Sequence, residues 1–329
     1  MIRNNISIIV LGILTSVIVS CSNNDVKKSE VIKEKESILV PEFNADSAYS
    51  YIENQVKFGP RIPNSQSHED CKAYLSSTLQ QYADTVFEQQ FKQNVYGKDL
   101  LFTNIIASFN SSKKERILLC AHWDSRPYAD EEKDISLAVL PILGANDGAS
   151  GVGILIELAR QISIKNPDLG IDFILFDGED YGKSHDLDHY FIGSRFIAEH
   201  YPLQKPKYAI LLDLVGDKDA KFSFDPLSLS SHEPLLRSIW DIAKELGFSS
   251  QFNTETGNGV ADDHEMLINS GIKSINIIDV QLVGNIDMNP RRKYWHTSKD
   301  NMDNIGKETL YAVGQTLLTF IYTKSMYIY

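Results

Sequence analysis

A buried strand that ends in two adjacent carboxylates constrains this chain more than any other feature. Residues 171–176 form an apolar, aromatic-rich run, and Glu179 and Asp180 follow it within four residues. Such a run predicts a buried strand. Neighbouring carboxylates at its end repel each other and lose hydration, and a bound cation would relieve both costs. Taken alone, the pair could be a solvated acidic loop, which is what most Glu-Asp pairs are.

Strand and helix patterns alternate along most of the chain. The run 116–121, wholly apolar from Ile117 onwards, predicts a central strand, and the alternating run 85–95 predicts an edge or half-exposed strand. His68, in the first turn of a helix predicted from residue 67, is expected at the surface. The pattern predicts an α/β fold, with an open, mixed, mostly parallel twisted sheet and helices on both faces. Further strands are predicted at 100–110, 171–176, 208–214 and 275–280, and further helices at 46–58, 150–164, 190–199, 234–246, 264–269 and from 305.

The first 40 residues are predicted to lie outside the folded domain. Arg3 precedes an apolar run, 6–19, that is short for a membrane span, and the run ends in Ile-Val-Ser-Cys, which resembles a bacterial lipobox. We therefore expect a lipoprotein signal peptide at 1–20 and a lipidated Cys21. The lipid would anchor the exported bacterial protein to a membrane, so that it is periplasmic or attached to the outer membrane. An ordinary cleaved signal or an anchor helix are the alternatives. Polar residues 21–40 predict a flexible tether, and 41–329 a single catalytic domain.

Charge and cysteine content limit the partners and the compartment. The formal net charge of −12 disfavours a surface that tracks phosphates, so nucleic acid is excluded as a partner. Export would place Cys71 and Cys120 in an oxidising compartment, where they could pair. Cys120 lies in an apolar strand and also fits a buried thiol, so the sequence leaves the disulfide open.

Acidic and imidazole side chains follow one predicted strand after another. Ligands of open α/β sheets bind beyond the carboxyl ends of the strands, so these side chains are expected to meet. Asp213 and Asp262 could instead be helix caps, and the Gly-rich loop around Asp147 could cradle a phosphate, although Asp147 would repel one and no P-loop lysine follows. A mixed His/Asp/Glu set favours zinc. The candidates are His122, Asp147, Glu179, Asp180, Asp213, Asp262 and His296.

This set resembles the zinc aminopeptidase superfamily of exopeptidases. It is most similar to the glutaminyl-peptide cyclotransferase (glutaminyl cyclase) branch, particularly the bacterial forms, from about Gly59-Pro60-Arg61 to the Trp-His motif at 295–296. The segment 262–264 reads Asp-Asp-His, where the related aminopeptidases usually carry Ser-Asp-His. Trp295 before His296, and the phrase His-Trp-Asp-Ser-Arg at 122–126, also resemble the cyclases.

The resemblance implies a role for each residue. Asp147, Asp180 and His296 would bind a single Zn²⁺, and Glu179 would be the general acid and base. Asp213 and Asp262 would be buried catalytic carboxylates that share hydrogen bonds beside the metal. Trp295 and His122 would contribute to substrate binding, although core filling is the alternative for Trp295. In the two-zinc peptidases the residue matching His122 binds the second metal, whereas the cyclases do not use it as a ligand.

The resemblance also implies a substrate and leaves two alternatives. A cyclase would act on peptides with N-terminal glutamine, closing it to pyroglutamate with release of ammonia. A two-zinc aminopeptidase would place a second metal on His122, Asp147 and Asp213, and a peptide-binding lipoprotein would need no Glu179. One departure concerns the loop after the carboxylates. The cyclases usually have a pocket tryptophan there, whereas this chain has none, and Tyr190 or Phe191 is expected to replace it.

Overall fold

The computed structural model describes residues 39–284, 291, 293–323, 325 and 328. Eight strands lie within these residues: Thr85–Val95 (β1), Lys98–Phe109 (β2), Arg116–His122 (β3), Gly170–Phe176 (β4), Ala209–Asp213 (β5), Phe222–Phe224 (β6), Phe252–Thr256 (β7) and Ser274–Ile278 (β8). Eight α-helices accompany them: Ala45–Lys57 (α1), Gln66–Gln80 (α2), Ile135–Ala138 (α3), Ala149–Ile164 (α4), Ile192–Glu199 (α5), Pro226–Glu245 (α6), Asp263–Asn269 (α7) and Lys307–Thr323 (α8). Short 3₁₀ turns occur at Leu187–His189 and Met302–Asn304.

Six strands form one mixed sheet in the order β1-β2-β4-β3-β5-β8. The β1–β2 and β2–β4 pairs are antiparallel, and the β3–β4, β3–β5 and β5–β8 pairs are parallel. Every residue of β3 and β4 is buried, as their continuous apolar runs require of strands covered on both faces. The predicted fold class, the edge position of β1 and the central position of β3 are confirmed.

Helices cover both faces of this sheet. Successive side chains of a strand point to opposite faces, so Leu119 packs in a cluster with α1, α2, α4, α6 and α8, whereas Cys120 packs with Ile197 of α5 and Leu267 of α7. Cys120 and Cys71 are both buried and carry free thiols, so the structure shows no disulfide between them.

Several element boundaries differ from the sequence predictions. Helix α2 begins at Gln66, one residue earlier than predicted. Ser65 is its N-cap and accepts a hydrogen bond from the backbone N–H of His68. Helix α6 was predicted from residue 234 but begins at Pro226, with Asp225 as its N-cap and a non-helical residue, His232, just before Pro234. The short strands β6 and β7, which form a separate two-stranded sheet, were not predicted.

The predicted signal peptide, Cys21 and nearly all of the predicted tether lie outside the described residues. Lipidation of Cys21 and a membrane anchor therefore stay predictions. None of the described helices is both long enough and apolar enough to span a bilayer.

Candidate active site

Three side chains that are far apart in sequence meet beyond the carboxyl ends of the central strands. Asp147 precedes α4, Asp180 follows β4, and His296 precedes the 3₁₀ turn at Met302–Asn304. The Nε2 atom of His296 lies 3.6 Å from Oδ2 of Asp147 and 3.5 Å from Oδ1 of Asp180. One ligand atom from each residue lies within 4.8 Å of the others, and all three residues are buried. Two carboxylates and an imidazole in this arrangement could hold a zinc ion.

A second group of possible ligands shares Asp147 with the first. It consists of His122, Asp147 and Glu179, again with one ligand atom of each within 4.8 Å of the others. His122 Nε2 lies 3.1 Å from Oδ1 of Asp147 and 3.4 Å from Oδ1 of Asp213. A Cβ atom on Gly148 would lie 2.3 Å from His122 Nε2, so glycine is needed for the start of α4 to approach β3 this closely.

Three buried polar atoms of this region have no hydrogen-bond partner: His122 Nε2, Asp180 Oδ2 and Asp213 Oδ1. A buried polar atom without a partner costs free energy, and carboxylate oxygens and imidazole nitrogens can meet that need by binding a cation. The residues present therefore fit a metal site.

Arg126 and Asp130 hold the side chains of two candidate ligands. Arg126 Nη1 donates to Oδ1 of Asp180 at 2.6 Å, while its Nε and Nη2 donate to the two carboxylate oxygens of Asp130 at 2.7 and 2.5 Å. Asp130 Oδ1 in turn lies 3.5 Å from Nδ1 of His296. Neither Arg126 nor Asp130 was predicted as a site residue, although Arg126 stands in the motif that resembles the cyclases.

Two other carboxylates hold the backbone of the candidate site. Asp124 accepts hydrogen bonds from the backbone N–H groups of Glu179 and Asp180, at 3.1 and 3.2 Å. Asp300 does the same for Asn146 and Asp147, at 2.8 and 3.1 Å. Neither role could be predicted from the sequence, because a carboxylate that binds backbone N–H groups leaves no sequence pattern across such distances.

His68 is buried, so the prediction that it lies at the surface is wrong. Its Nε2 lies 2.9 Å from Oδ1 of Asp177, and its ring stacks on Trp123 with ring centroids 4.2 Å apart. Asp177 Oδ2 accepts a hydrogen bond from the backbone N–H of Thr103 at 2.6 Å. This buried network lies directly before the turn that carries Glu179 and Asp180.

The first group of ligands opens into a cavity of about 740 Å³. Trp295 lies on its wall and stacks on the His296 ring, with centroids 3.5 Å apart. Tyr190 and Phe191 also line the cavity, at the place where the resemblance led us to expect a tryptophan. Asp213 and Asp262 line it too, whereas His122 is 1% exposed and does not line the cavity. A substrate-binding role for His122 stays a prediction.

A second cavity shows that volume alone does not identify the site. It measures about 770 Å³ and is lined by residues such as Phe43, Arg160, Phe248 and Lys307. Neither of the two ligand groups found among the described residues contributes to its wall.

The surroundings raise the pKa of two carboxyl groups that line the cavity, Glu179 and Asp262. Burial raises the pKa of Glu179 well above its usual value, and the nearby Asp180 adds to the shift, while His122 opposes it. Burial and the charge of Asp213 raise the pKa of Asp262 to about 7. Asp262 is held by a hydrogen bond of 2.6 Å from Nδ2 of Asn276. The predicted hydrogen bond between the carboxyl groups of Asp213 and Asp262 needs one proton shared between them. The raised pKa of Asp262 favours keeping that proton.

The chain is similar in sequence and in structure to known zinc-dependent exopeptidases and glutaminyl cyclases. Residues 104–321 match the model of peptidase family M28. Glutaminyl cyclase from Bacteroides thetaiotaomicron, solved with N-acetylhistamine, is 40% identical with a TM-score of 0.82, over 87% of this chain and 100% of that one. A Zn-dependent exopeptidase from Parabacteroides distasonis is 43% identical with a TM-score of 0.83 and the same coverage. Glutaminyl-peptide cyclotransferase from Bos taurus is 26% identical over 296 residues, which are 79% of this chain and 77% of the relative.

Proposed function

Because the chain belongs to peptidase family M28, we propose that it is a zinc-dependent glutaminyl-peptide cyclotransferase. Its substrates would be peptides with N-terminal glutamine, which it closes to pyroglutamate with release of ammonia. One observation carries the proposal: Glu179, with a raised pKa, lines the same cavity as the ligand group of Asp147, Asp180 and His296. The similarity to solved bacterial glutaminyl cyclases supports it.

Asp147, Asp180 and His296 would hold the zinc ion. When bound there, zinc supplies Lewis-acid polarisation of the γ-carboxamide oxygen of the substrate. Trp295 and Tyr190 would form the walls against which the glutamine side chain lies, since both face the cavity. Their rings exclude water from the reacting atoms, which strengthens every electrostatic contact inside the cavity.

Glu179 would move the proton. Its carboxylate takes a proton from the α-amino group of the substrate, whose nitrogen then attacks the carbonyl carbon (Cδ) of the γ-carboxamide of the same residue. As the bond from that carbon to the side-chain nitrogen breaks, Glu179 returns the proton and ammonia leaves. A carboxyl group with a raised pKa suits both steps, because a pKa closer to the working pH helps it both to take up and to return a proton.

One observation favours a second candidate, a two-zinc aminopeptidase. His122 Nε2 lies 3.1 Å from Oδ1 of Asp147 and 3.4 Å from Oδ1 of Asp213, so these three residues could hold a second ion. In that enzyme Glu179 would deprotonate a water molecule that hydrolyses the first peptide bond. The 43% identical Zn-dependent exopeptidase is compatible with this alternative.

A product assay separates the candidates. The protein, purified with zinc, is incubated with a peptide that begins with glutamine, and the products are weighed by mass spectrometry. Loss of one ammonia supports the cyclase, and loss of the whole first residue supports the aminopeptidase. A peptide that is bound but unchanged would overturn both proposals and favour a binding lipoprotein.

We also infer that the protein is an exported bacterial lipoprotein, anchored to a periplasmic or outer-membrane surface through Cys21. The support is the sequence pattern of residues 1–21 alone. Metabolic labelling with a fatty acid tests the inference: label should enter the wild-type protein and be absent from Cys21→Ser. Equal labelling of the two would contradict it.

A further inference from the structure

The loop at residues 181–190 forms one wall of the cavity with little regular structure. It contains only the 3₁₀ turn Leu187–His189 before α5 begins. Ser184, His185, Leu187 and Tyr190 line the cavity, yet Leu187 is 55% exposed and its neighbours are mostly solvent-accessible. Because few of its side chains are buried, packing alone leaves this wall weakly held.

The hydroxyl group of Tyr96, from another part of the chain, forms hydrogen bonds with two residues of this loop. The hydroxyl of Tyr96 accepts a hydrogen bond from the backbone N–H of Lys183 and donates one to Oδ2 of Asp186, each 2.9 Å long. His189 Nδ1 lies 2.8 Å from the same Asp186 oxygen. The rings of His189 and Tyr96 lie 4.3 Å apart, and Lys183 Nζ lies 4.5 Å from the Tyr96 ring centroid.

The backbone of Tyr96 has a conformation that tyrosine rarely adopts. Tyr96 and Gly97 form the two-residue turn between β1 and β2, with φ of +52° and +76°. Such turns strongly favour asparagine or aspartate before the glycine, because a bulky side chain at positive φ is strained. The strain is offset here by the contacts of the side chain with the cavity loop. Strained residues of this kind concentrate at functional sites.

The other end of the loop contacts the candidate site. The Tyr190 ring packs so closely on Gly182 that a Cβ atom there would lie 2.0 Å from it. The guanidinium of Arg126, which also binds Asp180, lies 5.3 Å from the Tyr190 ring centroid. Residues 183–189 are therefore bounded by this Gly182–Tyr190 contact on one side and by Tyr96 on the other.

We propose that Tyr96 is a positioning residue that sets how well the cavity holds substrate. It touches neither substrate nor metal ligands; it keeps residues 183–189 in place so that Tyr190 and its neighbours form a fixed wall. The proposal rests on the proposed function for its kinetic consequences, but its structural consequence, a loop that opens more often without the Tyr96 hydroxyl, does not depend on activity.

Tyr96→Phe tests the proposal, because it keeps the ring contacts and removes both hydrogen bonds. We expect KM for a glutamine-initiated peptide to rise roughly five-fold or more, as two ordinary hydrogen bonds suggest, with kcat and zinc content unchanged. Trypsin should cut after Lys183 faster by a similar factor. Tyr51→Phe is the matched control, since it removes a phenol–phenol hydrogen bond of 3.1 Å to Tyr82, and neither residue lines the cavity.

Asp186→Ala supplies an independent check. It removes the hydrogen-bond acceptor of the Tyr96 hydroxyl. KM and the cleavage rate of the double variant Tyr96→Phe/Asp186→Ala should therefore be little higher than those of either single variant. Unchanged KM or unchanged cleavage in Tyr96→Phe would overturn the proposal, as would a parallel loss of kcat and zinc. If the wild-type protein cyclises no glutamine, the proposed function fails, and the cleavage rates alone decide whether Tyr96 holds the loop.

Discussion

The Nδ1 atom of His296 lies 3.5 Å from Oδ1 of Asp130, on the edge of the ring opposite the candidate ligands. The Nε2 atom of the same ring faces Asp147 and Asp180. Burial tends to raise the pKa of Asp130, but Arg126 and His296 outweigh it and hold that pKa below its usual value. Asp130 is therefore ionised and can accept a hydrogen bond from Nδ1–H of His296, which leaves Nε2 free to bind a metal.

Replacing Asp130 with asparagine should weaken zinc binding roughly 10- to 100-fold, because the imidazole loses the carboxylate that orients it. Competition with a chromophoric chelator measures this affinity without reference to activity. Asp134→Asn is the matched control: Asp134 lies in the same segment and caps the exposed helix α3. Equal zinc affinity of the two variants would show that Asp130 does not position His296.

Zinc should stabilise the folded protein, since its ligand groups include a buried oxygen, Asp180 Oδ2, and a buried nitrogen, His122 Nε2, without hydrogen-bond partners. At a free zinc concentration 100 times the Kd, one site adds about 2.7 kcal/mol to the free energy of unfolding. Thermal unfolding of chelator-treated protein, with and without added zinc, measures the effect, and metal analysis counts the ions. An unchanged melting temperature would contradict the site. Two ions per chain at full activity would favour the aminopeptidase alternative.

The meeting of acidic and imidazole side chains beyond the strand ends could be predicted from the sequence, because it depends on a topological rule, whereas the choice of Asp147, Asp180 and His296 as ligands came from the resemblance to the zinc aminopeptidases. Parallel strands place their carboxyl ends at one edge of a sheet, so polar residues after successive buried strands meet there whatever their separation along the chain. The apolar runs of β3 and β4 were long enough to identify those strands without ambiguity.

The residues that hold the site could not be predicted in this way. His68 lies three residues before Cys71 and seven before Leu75, on the buried face of α2, but its partner, Asp177, is 109 residues away. Arg126 reaches Asp180 over 54 residues. Such pairs depend on side-chain directions that only the packed structure fixes, and hydrophobic periodicity carries no information about them.

His68→Phe should destabilise the protein by about 1–3 kcal/mol, because Oδ1 of the buried Asp177 loses its partner. The substituted ring can still stack on Trp123, so packing is largely kept. Urea denaturation measures the change, with His200→Phe as the control at an exposed histidine that also stacks on a ring. A loss no greater than that of the control would show that the His68–Asp177 contact contributes little.

Glu179→Gln should lower kcat roughly 10²- to 10⁴-fold, the usual contribution of a positioned general acid or base. Glutamine has the same shape but cannot exchange a proton, so zinc content should stay unchanged if Glu179 only transfers protons. Glu131→Gln is the control, as another carboxyl group on the same cavity wall. If Glu179→Gln still releases ammonia at the wild-type rate, the carboxyl group of Glu179 takes no part in the mechanism. If the variant loses zinc, Glu179 is a zinc ligand.

The last prediction concerns acid stability and Asp225, which caps helix α6. Its carboxylate accepts hydrogen bonds from the backbone N–H and hydroxyl of Ser228 and lies 3.1 Å from Nε2 of His264. Burial tends to raise its pKa, but His264 and Ser228 outweigh burial and lower it below the usual value. The folded protein thus binds this proton more weakly than the unfolded chain, whose aspartate has a pKa of about 3.9.

The stabilisation from Asp225 should therefore be complete above about pH 4 and be lost as the pH falls through the lower pKa of the folded state. Asp225→Asn should cost about 1–2 kcal/mol near neutral pH, the range for a lost cap contact and a buried hydrogen bond. That cost should shrink in acid, which urea denaturation at several pH values can follow. Asp241→Asn, at an exposed position of the same helix, should show no such trend. A cost that is constant from neutral to acid pH would mean that the charge of Asp225 does not stabilise the fold.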